Sequence, residues 1–182
     1  MTGRVIVTGA NGFVGQAVCR TLLDAGQGVT GLVRHAGACA PGVDEWVSAT
    51  ADFDGIDSLW PASLQAHSVV HLAARVHVMR DEAADPLAAF RATNVDGTLR
   101  IAKAAHRHGV RRFVFVSSIK AVAEVDPGYP LREDDPPNPG DSYGRSKLEA
   151  ELMLRQFAQE SGLEVVIVRP PLVYGPGVRA NF

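Results

Sequence analysis

The stretch that decides the fold is VIVTGANGFVG at residues 5–15. It places three glycines, Gly9, Gly12 and Gly15, between a run of β-branched residues and a segment with helical spacing. We predict that the first glycine allows a tight turn, the second lets a phosphate approach the backbone, and the third lets the helix pack closely on the strand. Because a helix N-terminus attracts anions, the stretch predicts a strand–turn–helix unit that binds the pyrophosphate of a dinucleotide.

Similar apolar runs alternate with helical patterns along the rest of the chain. This alternation predicts an α/β fold, a doubly wound parallel sheet flanked by helices. Several runs are apolar without alternation, as expected of strands buried on both faces. The predicted strands are residues 4–9, 28–34, 45–48, 67–73, 111–118 and 163–170. The predicted helices are residues 12–26, 55–65, 85–108 and 141–161.

The bulk composition narrows the possible functions. A chain of 182 residues, 46% hydrophobic and 21% charged, is enough for one domain with a sizeable core. The net charge of −2 gives no reason to expect nucleic acid or an anionic membrane as a partner. No apolar run approaches membrane length, and the first strand leaves no room for a signal peptide, so we expect a cytoplasmic protein. Cys19 and Cys39 are too few for a disulfide framework, and no metal site is predicted.

A second motif, DSYGRSKLEAE at residues 141–151, places Tyr143 and Lys147 four positions apart. Residues at this spacing share one face of a helix. The pair alone is a weak signal, because exposed helices are rich in lysine. Asp141 or Ser142 is the predicted N-cap of this helix.

Together the motifs resemble the extended and atypical short-chain dehydrogenase/reductases. The glycine spacing G-x-x-G-x-x-G and the Tyr-x-x-x-Lys pair both match, and four further motifs also match, all in the family's order. These are VVHLAA (69–74), NVDGT (94–98), FVFVSSIKAVAE (113–124) and RPPLVYGPG (169–177). The resemblance implies a single Rossmann-like NAD(P)-binding domain over 1–182. Extended members run well past this length, so we expect a fragment of a longer enzyme that lacks the C-terminal substrate lobe.

The resemblance implies that Ser118, Tyr143 and Lys147 are catalytic, with Ser117 as a buried neighbour. Moving a hydride at a carbinol carbon requires a proton to move on its oxygen. An unperturbed tyrosine has a pKa of about 10, and lowering it to about 7 corresponds to about 4 kcal/mol of differential stabilisation. We expect Lys147 and an oxidised nicotinamide to supply this, Tyr143 to act as acid/base, and Ser118 to fix the reacting oxygen. Lys147 would also hold the nicotinamide ribose.

The family pattern also implies a set of cofactor contacts around the glycine turn, the strand ends and the catalytic helix. They are Thr8, Gly9, Asn11, Gly12, Phe13, Val14, Gly15, Arg34, Asp52, Leu72, Ala73, Ala74, Asn94, Tyr143, Lys147 and Pro170. The implied substrate contacts are Arg75, Ser118 and Asn181. Some have structural alternatives: Asn94 as a residue that packs helices, and Arg75 and His77 as parts of a solvated loop.

The end of the second predicted strand bears on the choice of cofactor. An acidic residue there would accept hydrogen bonds from the ribose 2′-hydroxyl of NAD. This chain has Val33 followed by Arg34, and an arginine can pair with a 2′-phosphate. The sequence therefore favours NADP over NAD, with an exposed strand-end arginine as the alternative.

Within the family, the motifs look most like bacterial surface-polysaccharide enzymes that act on UDP-sugars as 4-epimerases or 4-ketoreductases. A 4,6-dehydratase is disfavoured, because Ile119 and Lys120 stand where dehydratases carry Asp-Glu. Some relatives with this fold bind a dinucleotide as redox sensors without chemistry, and this alternative stays open. Family dimers pair the helices predicted here at 85–108 and 141–161, so we expect a homodimer.

Overall fold

The computed structural model of the chain describes residues 3–76, 85–126 and 128–178. Six parallel strands form one sheet in the order β3-β2-β1-β4-β5-β6. The predicted doubly wound sheet is confirmed, and every predicted strand is present. The strands are β1 (Arg4–Thr8), β2 (Gly28–Val33), β3 (Asp44–Val47), β4 (Ser68–His71), β5 (Arg112–Val116) and β6 (Glu164–Val168).

Helices cover both faces of the sheet. They are α1 (Phe13–Asp24), α2 (Pro86–Arg91), a π-helical segment (Ala92–Gly97), α3 (Thr98–Arg107), a 3-10 helix (Ile119–Ala121) and α4 (Ser142–Ser161). The helices predicted at 12–26 and 141–161 are therefore confirmed. The one predicted at 85–108 is present, but its middle turn is π-helical.

The core has two parts because successive side chains of a strand point to opposite faces. On one face, Val5 and Val7 of β1 pack in a cluster with Cys19 of α1. On the other face, Ile6 packs in a cluster with residues of α3 and α4, including Ile101. Burial on both faces explains why the strands read as continuous apolar runs.

The helix predicted at 55–65 is wrong, because this segment is a series of turns. Gly55 has φ +71, in the left-handed region. Pro61 lacks an amide hydrogen and disfavours helical backbone in the residue before it. The apolar spacing that suggested a helix instead places Ile56 and Trp60 in the core. Trp60 meets Trp46 of β3 edge to face, with ring centroids 5.1 Å apart.

The strand order reverses between β1 and β4, which are neighbours in the sheet. In open parallel sheets this switch point opens a crevice at the carboxyl ends of the strands, where ligands bind. No helix among residues 3–76, 85–126 and 128–178 is long and apolar enough to cross a membrane.

Candidate active site

The loop after β1 contains two glycines, Gly9 and Gly15, at which a side chain would be strained or would clash. The amide of Gly9 donates to the carbonyl of Leu32 over 3.1 Å, and the amide of Gly12 donates back to Gly9 over 2.9 Å. Gly9 has φ +67, a conformation that glycine adopts without strain. A Cβ at Gly15 would lie 2.1 Å from the carbonyl oxygen of Gly9. The turn and the first turn of α1 therefore pack too closely for a side chain at that position.

This glycine cradle, residues 9–15, presents backbone donors. Helix α1 begins at Phe13, and its N-cap Gly12 offers no side-chain cap. The amides of the first helical turn have no partner within the helix. They point outward at the positive end of the helix dipole. Phe13 and Val14 therefore lie where their amides can receive an anion, and Asn11 precedes them in the turn.

The loop after β4 closes the other side of the cradle. Leu72 and Ala73 donate their amides to the hydroxyl of Thr8, each over 3.1 Å. A Cβ at Gly9 would lie 3.0 Å from the amide nitrogen of Ala73. The half-buried Ala74 continues this loop. The glycine turn and the β4 loop thus form one surface, while the Thr8 side chain lies fully buried behind it.

Ser118 and Ser117 follow β5 and face different surroundings. The Ser118 hydroxyl caps the 3-10 helix by accepting from the amide of Lys120 over 3.2 Å. Ser117 is 3% exposed, and its hydroxyl donates to Glu151. The predicted burial of Ser117 is confirmed, and Ser118 is half-buried beside Tyr143.

Tyr143 lies in the first turn of α4. The helix begins as predicted, because Asp141 caps it by accepting from the amide of Gly144 over 2.6 Å. Burial raises the pKa of Tyr143 above its ordinary value, while a hydrogen bond with Ser118 lowers it. Asp141 raises this pKa further, and the charge of Lys120 lowers it.

Lys147 lies one turn along α4 and is 2% exposed. Its Nζ lies 5.8 Å from the centre of the Tyr143 ring and 4.7 Å from that of Phe115. Burial lowers the pKa of Lys147 to about 8, and Glu151 acts in the opposite direction. In this structure the charge of Lys120 lowers the pKa of Tyr143, and the expected effect of Lys147 together with a bound nicotinamide stays a prediction.

A buried ion pair, which the sequence did not predict, lies behind these residues. Glu151 is 1% exposed and accepts from Nη2 of Arg169 over 2.6 Å. It also accepts from Nε of Arg169 over 3.0 Å. The same carboxylate receives the Ser117 hydroxyl. Glu151 thus links α4 to the ends of β5 and β6. Its position four residues after Lys147, on the same helix face, is the sequence signal that could have identified it.

Asn94 lies in the π-helical segment and is 1% exposed. Its Oδ1 accepts from the amide of Arg75 over 2.8 Å, and its Nδ2 donates to the carbonyl of the same residue over 3.0 Å. Nδ2 also donates to the hydroxyl of Ser146 over 3.0 Å. Asn94 therefore holds the β4 loop against α4, and its side chain makes three hydrogen bonds to two residues.

The remaining predicted residues surround this core of the site. Arg34 is exposed just after β2. Asp52 follows β3 and forms an ion pair with Arg100, in which Nη1 lies 2.8 Å from Oδ2.

Arg75, in the loop after β4, stacks over Phe90 with its guanidinium 5.5 Å from the ring centre. Pro170 accepts the amide of Ile119, which joins the loops after β5 and β6. His77 and Asn181 lie outside the described residues.

These residues come from the loops after all six strands and from α1, the π-helical segment and α4, and the carboxyl ends of the strands lie at one edge of the sheet. They include a glycine cradle with outward amides and, on β5 and α4, a half-buried phenol, a serine hydroxyl and a buried lysine. Such a set can bind an anionic, extended ligand and move a proton at an oxygen beside it.

Comparisons with known proteins agree with this architecture. The family model of the NAD dependent epimerase/dehydratase family matches residues 5–182. A UDP-glucose 4-epimerase of Vibrio cholerae is 41% identical over 184 residues, covering 100% of this chain and 55% of that protein. A dTDP-glucose 4,6-dehydratase of Streptomyces griseus is 34% identical over 187 residues, covering 97% of this chain and 56% of that protein. The chain thus spans about half the length of the curated relatives it matches.

Solved structures give the same picture. A UDP-glucose 4-epimerase of Thermotoga maritima with UDP-glucose superposes with a TM-score of 0.80 at 26% identity, covering 91% of this chain and 54% of that one. A short-chain dehydrogenase/reductase superfamily protein of Agrobacterium tumefaciens with bound NAD gives a TM-score of 0.76 at 34% identity. This alignment covers 91% of this chain and 48% of that one.

Proposed function

Because the chain belongs to the NAD dependent epimerase/dehydratase family, we propose that it is the cofactor-binding half of a nucleotide-sugar epimerase or ketoreductase. The observation that carries this proposal is that Tyr143 lies beside Ser118 and Lys147, in a parallel sheet whose first strand leads into the glycine cradle. The substrate we propose is a UDP-sugar, since similar proteins act on or bind UDP-glucose. Hydride transfer would take place at a carbinol or keto carbon of the sugar.

The cradle fits the pyrophosphate of a nicotinamide dinucleotide. Gly12 carries no side chain that would keep a phosphate from the backbone, and α1 has no side-chain cap competing for its first amides. We assign the pyrophosphate to the amides of Phe13 and Val14, and the flanking surface to the loop of Leu72, Ala73 and Ala74. When bound, the nicotinamide would supply or accept the hydride. For Thr8 and Asn94 we now propose positioning roles, because protein partners occupy their side chains.

Tyr143 is the acid/base of the proposed reaction. Its raised pKa keeps the phenol protonated in this structure, ready to give its proton to a keto oxygen that is being reduced. In the oxidative direction the phenolate takes the hydroxyl proton while the hydride leaves the same carbon. The Ser118 hydroxyl would hold the reacting oxygen, and Lys147 would contact the nicotinamide ribose.

The side chain of Lys120 supports epimerisation or reduction over dehydration. Dehydration needs a further acid and base next to the catalytic serine, whereas Lys120 is a cation there. Its Nζ donates to Glu124 over 3.0 Å and to Asp141 over 2.8 Å, and these carboxylates raise its pKa. Dehydratases are nevertheless among the relatives, so family membership alone does not separate these reactions.

For the cofactor we propose a preference for NADP, because an exposed Arg34 rather than an acidic residue follows β2. The similar structure from Agrobacterium tumefaciens holds NAD, so the preference depends on this one side chain. Asp52 would lie on the adenine side, where its carboxylate is already paired with Arg100.

We also propose a homodimer formed by α4 and the helices at residues 86–107. Leu152 is 58% exposed and Met153 is 37% exposed on α4, and both are large apolar side chains. Light scattering at several concentrations tests this assembly. A strict monomer at all concentrations would contradict it.

The substitution Tyr143→Phe separates an enzyme from a non-catalytic sensor. In the longer enzyme of which this chain would be one half, hydride transfer with UDP-glucose and UDP-galactose, measured by nicotinamide absorbance, should fall by about 10²-fold or more. Dinucleotide affinity should stay within about twofold, because the ring and its packing remain. Tyr129→Phe is the matched control, since Tyr129 is 59% exposed and away from the site. Equal turnover in both variants would contradict the proposed role of Tyr143.

A further inference from the structure

The imidazole of His71 lies fully buried at the end of β4, and the proposed reaction makes no use of it. Two threonine hydroxyls flank the ring. Oγ1 of Thr8 lies 2.8 Å from Nδ1, and Oγ1 of Thr98 lies 3.0 Å from Nε2. The rings of Phe113 and Phe115 pack beside it, with centroids 5.6 Å and 6.0 Å away.

The hydrogen bonds of the threonines determine which imidazole nitrogen carries the proton. A hydroxyl has one hydrogen to donate. Thr98 donates its hydrogen to the carbonyl of Asn94 over 2.7 Å, so towards His71 it can only accept. Nε2 of His71 therefore carries a hydrogen. Burial lowers the pKa of His71 to about 3, so the ring is neutral and Nδ1 is an acceptor.

The second threonine completes the chain of donors and acceptors. Thr8 donates its hydrogen to Nδ1 of His71, and its oxygen accepts the amides of Leu72 and Ala73. In this row of Thr8, His71 and Thr98, every hydroxyl and imidazole hydrogen has an acceptor inside the protein. The hydrogen bonds are donated in one direction, from Thr8 towards Thr98. Reversing that direction would leave buried groups unpaired.

The row connects the two halves of the candidate active site. At one end, Thr8 immediately precedes the glycine cradle. At the other end, Thr98 donates to the backbone carbonyl of Asn94, and the side-chain amide of Asn94 donates to the hydroxyl of Ser146. Ser146 in turn donates to the carbonyl of Tyr143 over 2.7 Å. Hydrogen bonds thus run from Thr8 to the backbone carbonyl of Asn94, and from the Asn94 side chain to the backbone carbonyl of Tyr143.

We propose that His71, as the neutral Nε2–H tautomer, is a positioning residue that fixes the cofactor cradle relative to the helices carrying Asn94 and Tyr143. The identity of the ligand in this cradle rests on the proposed function. His71 touches neither ligand nor reacting atoms; it acts through Thr8 and Thr98. We therefore expect that a substitution of Thr98, which lies outside the cradle, changes the affinity for a dinucleotide.

The tautomer is tested on the wild-type chain by long-range proton–nitrogen NMR of its imidazoles. Of the six histidines, the His71 signals are identified by their loss in His71→Gln. We expect a protonated Nε2, an unprotonated Nδ1 and no titration from about pH 5 to about pH 8. A proton on Nδ1, or a ring that becomes charged in this range, would overturn the proposal. The tautomer itself is read from the wild-type chain, and the substitution serves only to assign the signals.

The positioning role is tested by calorimetric titration of Thr98 variants with NAD and NADP. Thr98→Val keeps the shape but removes the acceptor for Nε2, and we expect the Kd to rise about tenfold. Thr98→Ser should restore the Kd to within about twofold of wild type. Thr21→Val is the matched control, because Thr21 likewise donates to the carbonyl four residues earlier, over 3.0 Å, but on the exposed face of α1. A purely structural role would lower stability without changing the Kd of the folded protein.

The outcomes separate this proposal from the proposed function. If the folded wild-type chain bound neither dinucleotide, the proposed function would fall, and the role of His71 with it. If the wild type bound normally and Thr98→Val left the Kd unchanged, the role of His71 alone would be overturned. A rise in Kd with Thr98→Val that Thr98→Ser reverses and Thr21→Val lacks would establish the role.

Discussion

Lys147 donates a hydrogen bond from Nζ to the carbonyl oxygen of Val116 over 2.9 Å, so the ammonium of α4 is fixed at the end of β5. This contact places a charge in a nearly closed environment, since the side chain is 2% exposed. Fixing an ammonium there costs stability, and the cost depends on pH.

The first prediction concerns this pH dependence. Burial lowers the pKa of Lys147 from 10.5 to about 8. Between these values the unfolded chain holds a proton that the folded chain has lost, so stability rises with pH. Below about pH 8 the full cost of the buried charge, about 3 kcal/mol, is present. In urea unfolding, the free energy of unfolding of the wild type should therefore rise relative to that of Lys147→Met between about pH 8 and about pH 10. A constant difference between the two proteins would contradict this.

The second prediction concerns the buried pair of Glu151 and Arg169. Glu151→Gln should lower the free energy of unfolding by about 3 kcal/mol, because it leaves the arginine without its charged partner. Glu149→Gln is the control on the same helix. Glu149 forms a bidentate pair with Arg91, but the side chains are 33% and 50% exposed, so the loss should be below about 1 kcal/mol. Urea unfolding at neutral pH compares them, and equal losses would show that burial does not distinguish the pairs.

The third prediction concerns the glycine cradle. A Cβ at Gly15 would lie 2.1 Å from the carbonyl oxygen of Gly9, so Gly15→Ala must push the turn away from α1. We expect dinucleotide affinity to fall by at least about tenfold, because the amides lose their common orientation. The control is Gly26→Ala at the far end of α1. Gly26 has φ +74 and open space around it, so the change should cost about 1 kcal/mol of stability without altering affinity. Unchanged affinity in a folded Gly15→Ala protein would remove the cradle from the binding site.

The fourth prediction concerns cofactor choice. Arg34→Ser should weaken NADP binding by about tenfold or more and leave NAD binding within about twofold, because only NADP carries the 2′-phosphate. Arg20→Ser is a control at another exposed arginine, whose side chain contacts Gln16 on α1. Equal effects on NAD and NADP would make Arg34 a bystander.

The sequence predicted the sheet and the cradle well, because both depend on local patterns. Apolar runs identify buried strands, and the spacing of Gly9, Gly12 and Gly15 reports a close approach of backbone segments. The Asp141 cap and the shared helix of Tyr143 and Lys147 are equally local.

Local turn residues account for one failure of the sequence prediction, and contacts distant along the chain account for the others. The segment around Ile56 and Trp60 has helical spacing, but Gly55 and Pro61 favour turns. The partnership of Glu151 with Arg169 also joins residues from different elements. The direction of the Tyr143 pKa shift follows from burial, which no short motif reports.

The most direct measurement is a calorimetric titration of this chain with NAD, NADH, NADP and NADPH in parallel. We predict saturable binding at one site per chain, tighter for NADP and NADPH than for their counterparts, and retained in Tyr143→Phe. Preference for NADPH would favour a ketoreductase, and tight NAD that co-purifies would favour an epimerase. A folded wild-type chain that binds none of the four would contradict the proposal that the glycine cradle is a dinucleotide site.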